Sequence, residues 1–250
     1  MYKHFFIAGA QRSGTSYLYH LLDEHPEIQM AKPLQPEPKF FLNDKLIKKG
    51  KAYYENTYFT HRDSDWLRGE KSVSYMESEK PAKQIVEYFP KAKIIFILRN
   101  PIERAISNYY YSVHNGLEKA PMEEAFLNEG KRYSDYNDRK ISVSPFAYLK
   151  RGQYIDYIST YKRYFPTENL KVILYEKLIG SINVVHEIYT FLKVNAGFVP
   201  SAWHEAINKK SRNNFSLPPN LEHYLKNYFK DCNKRLEENF KLDISDWWQL

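Results

Sequence analysis

Two stretches of this chain combine glycine, hydroxyl and arginine in an order suited to holding anions. Residues 9–16 read GAQRSGTS. Gly9 and Gly14 carry the spacing of a phosphate loop, in which backbone N–H groups converge on an anion at a helix start. The next residue is Thr15, where a Mg-dependent triphosphatase places lysine, and the loop's cation is Arg12 instead. The second stretch, residues 99–107, reads RNPIERAIS. Arg99 offers a planar fork to a phosphate, and Ser107 lies two helical turns beyond it. Arg104 and Ser107, three apart, share a helix face. No strand pattern ends in the aspartate that would hold magnesium, since KIIFIL at 93–98 leads into Arg99-Asn100. The pair of loops therefore points to a ligand with two separated phosphates.

These residues need a frame. Residues 4–10 read as a buried strand and 15–24 as a helix with Leu18, Leu21 and Leu22 inward. Pro33, Pro36 and Pro38 force 31–42 into extended loop. A helix at 80–89 precedes the strong strand at 93–98. Asn100 caps the next helix, with Pro101 at its first position and Glu103 closing a capping box, and that helix runs to about residue 113. Residues 116–145 are irregular, with a short helix at 122–128. A helix at 146–164, a strand at 170–175, a helix reaching residue 192, a polar loop at 208–220 and a terminal helix at 221–239 complete the pattern. Strands separated by helices give an α/β fold with a parallel sheet and ligands at the carboxyl ends of its strands.

Composition narrows the class. A length of 250 residues with 43% hydrophobic and 27% charged residues fits one globular domain over 1–250. The net charge of +7 favours anionic partners. The single cysteine, Cys232, excludes an internal disulfide and a cysteine-rich zinc site. No secretory leader and no run of about 18 apolar residues is present, so a cytoplasmic protein without a membrane span is expected. The 22 tyrosines suit core-edge packing as well as stacking on sugars.

Taken together, FFIAGAQRSGTSYLYHLL and KAKIIFILRNPIERAISNYYYS closely resemble the sulfotransferases that use 3′-phosphoadenosine 5′-phosphosulfate (PAPS). The resemblance continues in EPKFF at 37–41, GEKSVSY at 69–75, RGQYIDYISTYKRYFP at 151–166 and VILYEKL at 172–178, so it covers most of the chain. It is nearest to the branch acting on heparan sulfate and other glycans. It implies a P-loop-like three-layer fold, a central parallel sheet flanked by helices. By that likeness Arg12, Ser13, Gly14, Thr15 and Ser16 contact the 5′ side of PAPS, with Arg12 facing the bridging oxygen, and Arg99 and Ser107 hold the 3′-phosphate. Lys210 and Arg212, in the basic run 209–213, would close over that phosphate.

Sulfuryl transfer needs a base for the acceptor proton and cations for the leaving-group charge. Glu37, stiffened between Pro36 and Pro38, is the candidate base, and in the glycan branch the equivalent glutamate has that role. Lys71 resembles the family lysine that reaches toward the sulfuryl group or acceptor. The small-molecule enzymes use a histidine base, for which His61 is the nearest stand-in and reads as a solvated side chain. Val73 stands where relatives usually carry proline, and Arg12 where many carry lysine. The expected acceptor is a carbohydrate hydroxyl or amine, with a lipid or small alcohol as the alternative, no metal and no nucleic-acid partner. A P-loop nucleotide kinase and a non-catalytic polyanion-binding protein are the more remote readings.

Overall fold

The computed structural model describes residues 3–60, 66–132, 144, 146–204 and 217–248. The chain divides into two compact units, one of Met1–Leu98 with Ser159–Lys209 and one of Arg99–Ile158 with Lys210–Leu250. The strands are β1 (His4–Gly9), β2 (Ile28–Met30), β3 (Leu67–Lys71), β4 (Lys93–Leu98) and β5 (Leu170–Leu174). The helices are α1 (Thr15–Asp23), α2 (Asp44–Ile47), α3 (Gly50–Tyr58), α4 (Glu79–Tyr88), α5 (Pro101–His114), α6 (Met122–Leu127), α7 (Tyr154–Lys162), α8 (Tyr175–Leu178), α9 (Ile182–Leu192) and α10 (Pro219–Phe240).

All five strands lie in the first unit and pair in parallel in the order β2-β3-β1-β4-β5. Side chains alternate across a strand, so β1 builds both faces of the sheet. Phe5 and Ile7 pack with Leu18 and Leu22 of α1 and with Val185, Ile188 and Leu192 of α9. Phe6, pointing the other way, lies 5.7 Å from Phe41 and 6.1 Å from Phe89 between ring centroids. Phe41 in turn meets Tyr54 of α3 at 5.3 Å and Tyr88 of α4 at 5.5 Å. The result is the expected three-layer arrangement, helix on sheet on helix. Each fully buried aliphatic side chain in these layers contributes roughly 2 kcal/mol.

Gly69 shows how tightly the sheet is packed, since a Cβ there would come within 2.2 Å of Phe5 and 2.5 Å of Met30.

In the second unit Asn100 caps α5 as expected, its side-chain oxygen accepting from the Ile102 and Glu103 N–H groups at 3.0 and 3.4 Å. Glu103, the residue expected to close a capping box, pairs with Arg99. Its Oε2 accepts from Arg99 Nε at 3.1 Å and from an Arg99 terminal nitrogen at 2.7 Å.

The expected helix at 146–164 is shorter than its pattern, and α7 begins only at Tyr154. The N–H groups of Leu149 and Lys150 go to the Glu129 carboxylate instead of helix carbonyls, and Lys150–Gly152 forms a single 3₁₀ turn. The helix expected after residue 175 is likewise broken into α8 and α9. Gly180 sits between them with a φ of +70°, and Ser181 caps α9 through the Val184 N–H. Strands β2 and β3 were not expected from sequence. Among the described residues, no helix is long and apolar enough to cross a membrane.

Candidate active site

The first anion loop lies between the end of β1 at Gly9 and the start of α1 at Thr15. Main-chain bonding fixes its entry, with the Ala10 N–H donating to the Ile97 carbonyl of β4 at 2.8 Å. Both glycines are required. A Cβ on Gly9 would meet the Met76 side chain at 2.7 Å, and one on Gly14 would meet the Tyr175 ring at 2.8 Å. Gly14 also holds a φ of +79°, a left-handed conformation that L side chains resist. It is the N-cap of α1 and supplies no side-chain cap, so the first-turn N–H groups face the loop without a side-chain acceptor. Ser13 is fully buried, and its Oγ has no hydrogen-bond partner. Thr15 is buried, Ser16 half-buried and Arg12 exposed with a φ of +65°. Unsatisfied buried donors are costly, and an oxyanion at this helix terminus would satisfy them.

Glu37 lies in the proline-rich loop and is fixed at both carboxylate oxygens. Lys71 Nζ, at the end of β3, is 2.5 Å from Oε1. The Val73 N–H donates to Oε2 at 3.1 Å. The lysine side chain is 4% exposed and the glutamate 12%, so the pair is nearly enclosed. Each carboxylate oxygen has two lone pairs, and each of these contacts uses one. The Val73 contact gives the departure from proline a consequence, because proline has no N–H to donate.

Glu70 is the functional candidate that sequence reasoning did not single out. It is fully buried on β3 and pushed up to about 7 by burial, against its usual 4.5. Tyr54 donates to its Oε2 at 2.7 Å and Ser72 to its Oε1 at 2.6 Å. The sequence LRGEK at 67–71 carries no apolar run that would mark this acid as buried.

In the second unit, Arg99 follows β4 directly and is half-buried, with its guanidinium on Glu103 and its carbonyl accepting from the Tyr154 hydroxyl at 2.8 Å. Ser107 is half-buried on α5. Arg104, expected to share an anion-facing side with Ser107, is a core residue: it is fully buried, with its guanidinium on the Tyr148 carbonyl and on Asn108. His61, Lys210 and Arg212 lie outside the described residues.

The sulfotransferase domain family matches this chain over residues 2–239. The chain belongs to the sulfotransferase family. It is 27% identical over 210 residues to the Drosophila melanogaster bifunctional heparan sulfate N-deacetylase/N-sulfotransferase, covering 76% of this chain and 19% of that protein. It is 27% identical over 178 residues to human heparan sulfate glucosamine 3-O-sulfotransferase 6, covering 70% of this chain and 47% of that protein. The chain thus spans less than half the length of these curated relatives. Among solved structures, a sulfotransferase from Alicyclobacillus acidocaldarius superposes with a TM-score of 0.80 at 27% identity, covering 99% of this chain and 98% of that one. Within this family the loop between β1 and α1 and the Glu37–Lys71 pair become the parts to explain.

Proposed function

We propose that this protein transfers a sulfuryl group from PAPS to a hydroxyl or amine of a carbohydrate, with Glu37 as general base. The observation that carries the reading is the buried, unpartnered Ser13 hydroxyl at the open N-terminus of α1. A loop built this way fits an oxyanion, and PAPS presents one at its 5′ end. PAPS supplies an activated sulfuryl group on a phosphate leaving group and a second phosphate on the ribose. The loop 9–16 would take the 5′ side, with Arg12 countering its charge, while Arg99 and Ser107 would take the 3′-phosphate. Lys210 and Arg212 remain candidates for that same phosphate.

The step balances simply. A bond forms from the acceptor oxygen to sulfur as the bond from sulfur to the phosphate oxygen breaks, and that oxygen keeps the electron pair. The acceptor proton goes to a Glu37 carboxylate oxygen. Lys71 and the Val73 N–H hold that carboxylate in one orientation, which supplies the positioning such a step depends on. Lys71 also places a cation beside the reacting groups as charge redistributes. The carbohydrate acceptor is favoured because the curated relatives are named for heparan sulfate.

The test is transfer from sulfur-labelled PAPS in the presence of EDTA, offered to desulfated heparan chains and to simple alcohols in parallel. Label on the polysaccharide is the expected result. Failure to label any acceptor, with turnover of ATP when magnesium is restored, would overturn the reading in favour of a kinase.

A further inference from the structure

Beneath the Glu37–Lys71 pair lies a buried acid whose partners lead back to the loop that carries Glu37. Glu70 sits one residue before Lys71 in the aromatic layer of Tyr54, Phe41 and Tyr75, where a carboxylate survives only with hydrogen-bond donors around it. Three hydroxyls supply them, from Tyr54, Ser72 and Tyr75. A hydroxyl has one hydrogen, so one committed to Glu70 turns its oxygen outward as an acceptor. Two of the three oxygens are used in that way. Ser72 Oγ accepts the Lys39 N–H at 3.0 Å, and the Tyr75 hydroxyl accepts the Phe41 N–H at 3.1 Å. Both N–H groups belong to the loop that holds Glu37, and Lys39 sits there with a φ of +47°, a conformation its own Cβ disfavours. The loop is therefore held in place from outside.

We infer that Glu70 is a positioning residue for sulfuryl transfer, which through the Ser72 and Tyr75 hydroxyls fixes the 37–41 loop and so aims Glu37. This inference rests on the proposed role of Glu37. The same strand end thus sets both sides of the site: Lys71 grips the base directly, while Glu70 holds the backbone beneath it. An acceptor-only carboxylate aligns all three hydroxyls. An amide in its place presents a donor to one of them and reverses the relay. Tyr54 provides the internal control, since its hydroxyl donates to Glu70 and, among the described residues, accepts no loop N–H, and Tyr54→Phe keeps the ring that packs on Phe40 and Phe41.

The experiment compares wild type with Glu70→Gln, Ser72→Ala and Tyr54→Phe in steady-state sulfuryl transfer, with binding of 3′-phosphoadenosine 5′-phosphate measured by calorimetry on each. The expected result is a 10- to 100-fold loss of kcat in Glu70→Gln and Ser72→Ala, consistent with slight misplacement of a base. Nucleotide affinity and acceptor KM should stay within threefold, and Tyr54→Phe should keep its kcat even if it melts earlier. A purely structural Glu70 would make Tyr54→Phe and Ser72→Ala behave alike, or leave kcat unchanged in Glu70→Gln, and either result overturns the inference. Should Glu70→Gln fail to fold, Ser72→Ala against Tyr54→Phe decides alone. An inactive wild type would count against the parent reading, not against this one.

Discussion

Lys71 Nζ meets Glu37 Oε1 at 2.5 Å across 34 residues of sequence, and the Val73 N–H closes on the other carboxylate oxygen. The base candidate is thus gripped from the end of one strand. A carboxylate on a proline-rich loop acquires a defined direction only through such long-range contacts.

The ion pair makes a prediction about coupling. Lys71→Met removes the ammonium from a nearly enclosed carboxylate, which should lower both kcat and Tm. Adding Glu37→Gln to it should recover much of the stability while activity stays lost. The double-mutant cycle on Tm should show a coupling of about 1–3 kcal/mol, and additive losses would mean the pair does not interact in solution.

The Val73 contact is made by the main chain, so side-chain and backbone changes should separate. Val73→Ala keeps the N–H and should keep kcat within about twofold. Val73→Pro deletes the donor to a charged group and should cost on the order of 10-fold in kcat. Equal effects of the two substitutions would remove this hydrogen bond from the account.

Ser13 should respond with opposite signs in two assays. Its buried hydroxyl has no partner in the protein, so Ser13→Ala should leave Tm unchanged or raise it slightly. The same change should weaken binding of 3′-phosphoadenosine 5′-phosphate by roughly 10- to 100-fold, the value of one hydrogen bond to an anion. Undiminished affinity would show that the hydroxyl does not face the ligand.

Much of this arrangement was legible where its cause is local. The turn from β1 through Gly9 and Gly14 into α1, and the Asn100-Pro101 cap of α5, are written in adjacent residues, and both stand where the pattern places them. What depends on distant partners was not legible. Residues 146–153 carry a helical pattern, yet the Glu129 side chain takes the N–H groups that a helix would use. Arg104 shares a helix face with Ser107 by spacing, yet its guanidinium is enclosed around the Tyr148 carbonyl. Glu37 and Lys71 could be named singly through family likeness, but not as a pair. Glu70 needed hydroxyls from positions 54, 72 and 75 to become intelligible, and no period in the sequence joins them.

Two buried titratable groups give the stability a pH dependence that variants can isolate. His4 stacks on Phe89 at 3.7 Å, and burial, with Arg68 nearby, holds it down at about 3 against an ordinary 6.5. Its contribution is present above pH 6.5 and is lost as pH falls toward 3, because the unfolded chain takes up a proton the folded chain refuses. Glu70 works in the opposite sense. Its raised value means stability present below pH 4.5 and lost as pH rises through about 7. Each slope is at most about 1.4 kcal/mol per pH unit. In His4→Phe the drop in Tm between pH 6.5 and pH 5 should be smaller than in wild type, and parallel curves would contradict a buried neutral His4.

The central claim is that the two anion-binding stretches serve one nucleotide, leaving Glu37 for the chemistry. Calorimetric titration with 3′-phosphoadenosine 5′-phosphate in EDTA, on wild type, Arg99→Ala and Glu37→Gln, tests it most directly. The account predicts metal-independent binding by wild type, at least a 10-fold loss in Arg99→Ala, and unchanged affinity in Glu37→Gln with transfer abolished. Wild type that binds only ATP with magnesium, or Glu37→Gln that still transfers sulfuryl groups at the wild-type rate, would contradict it.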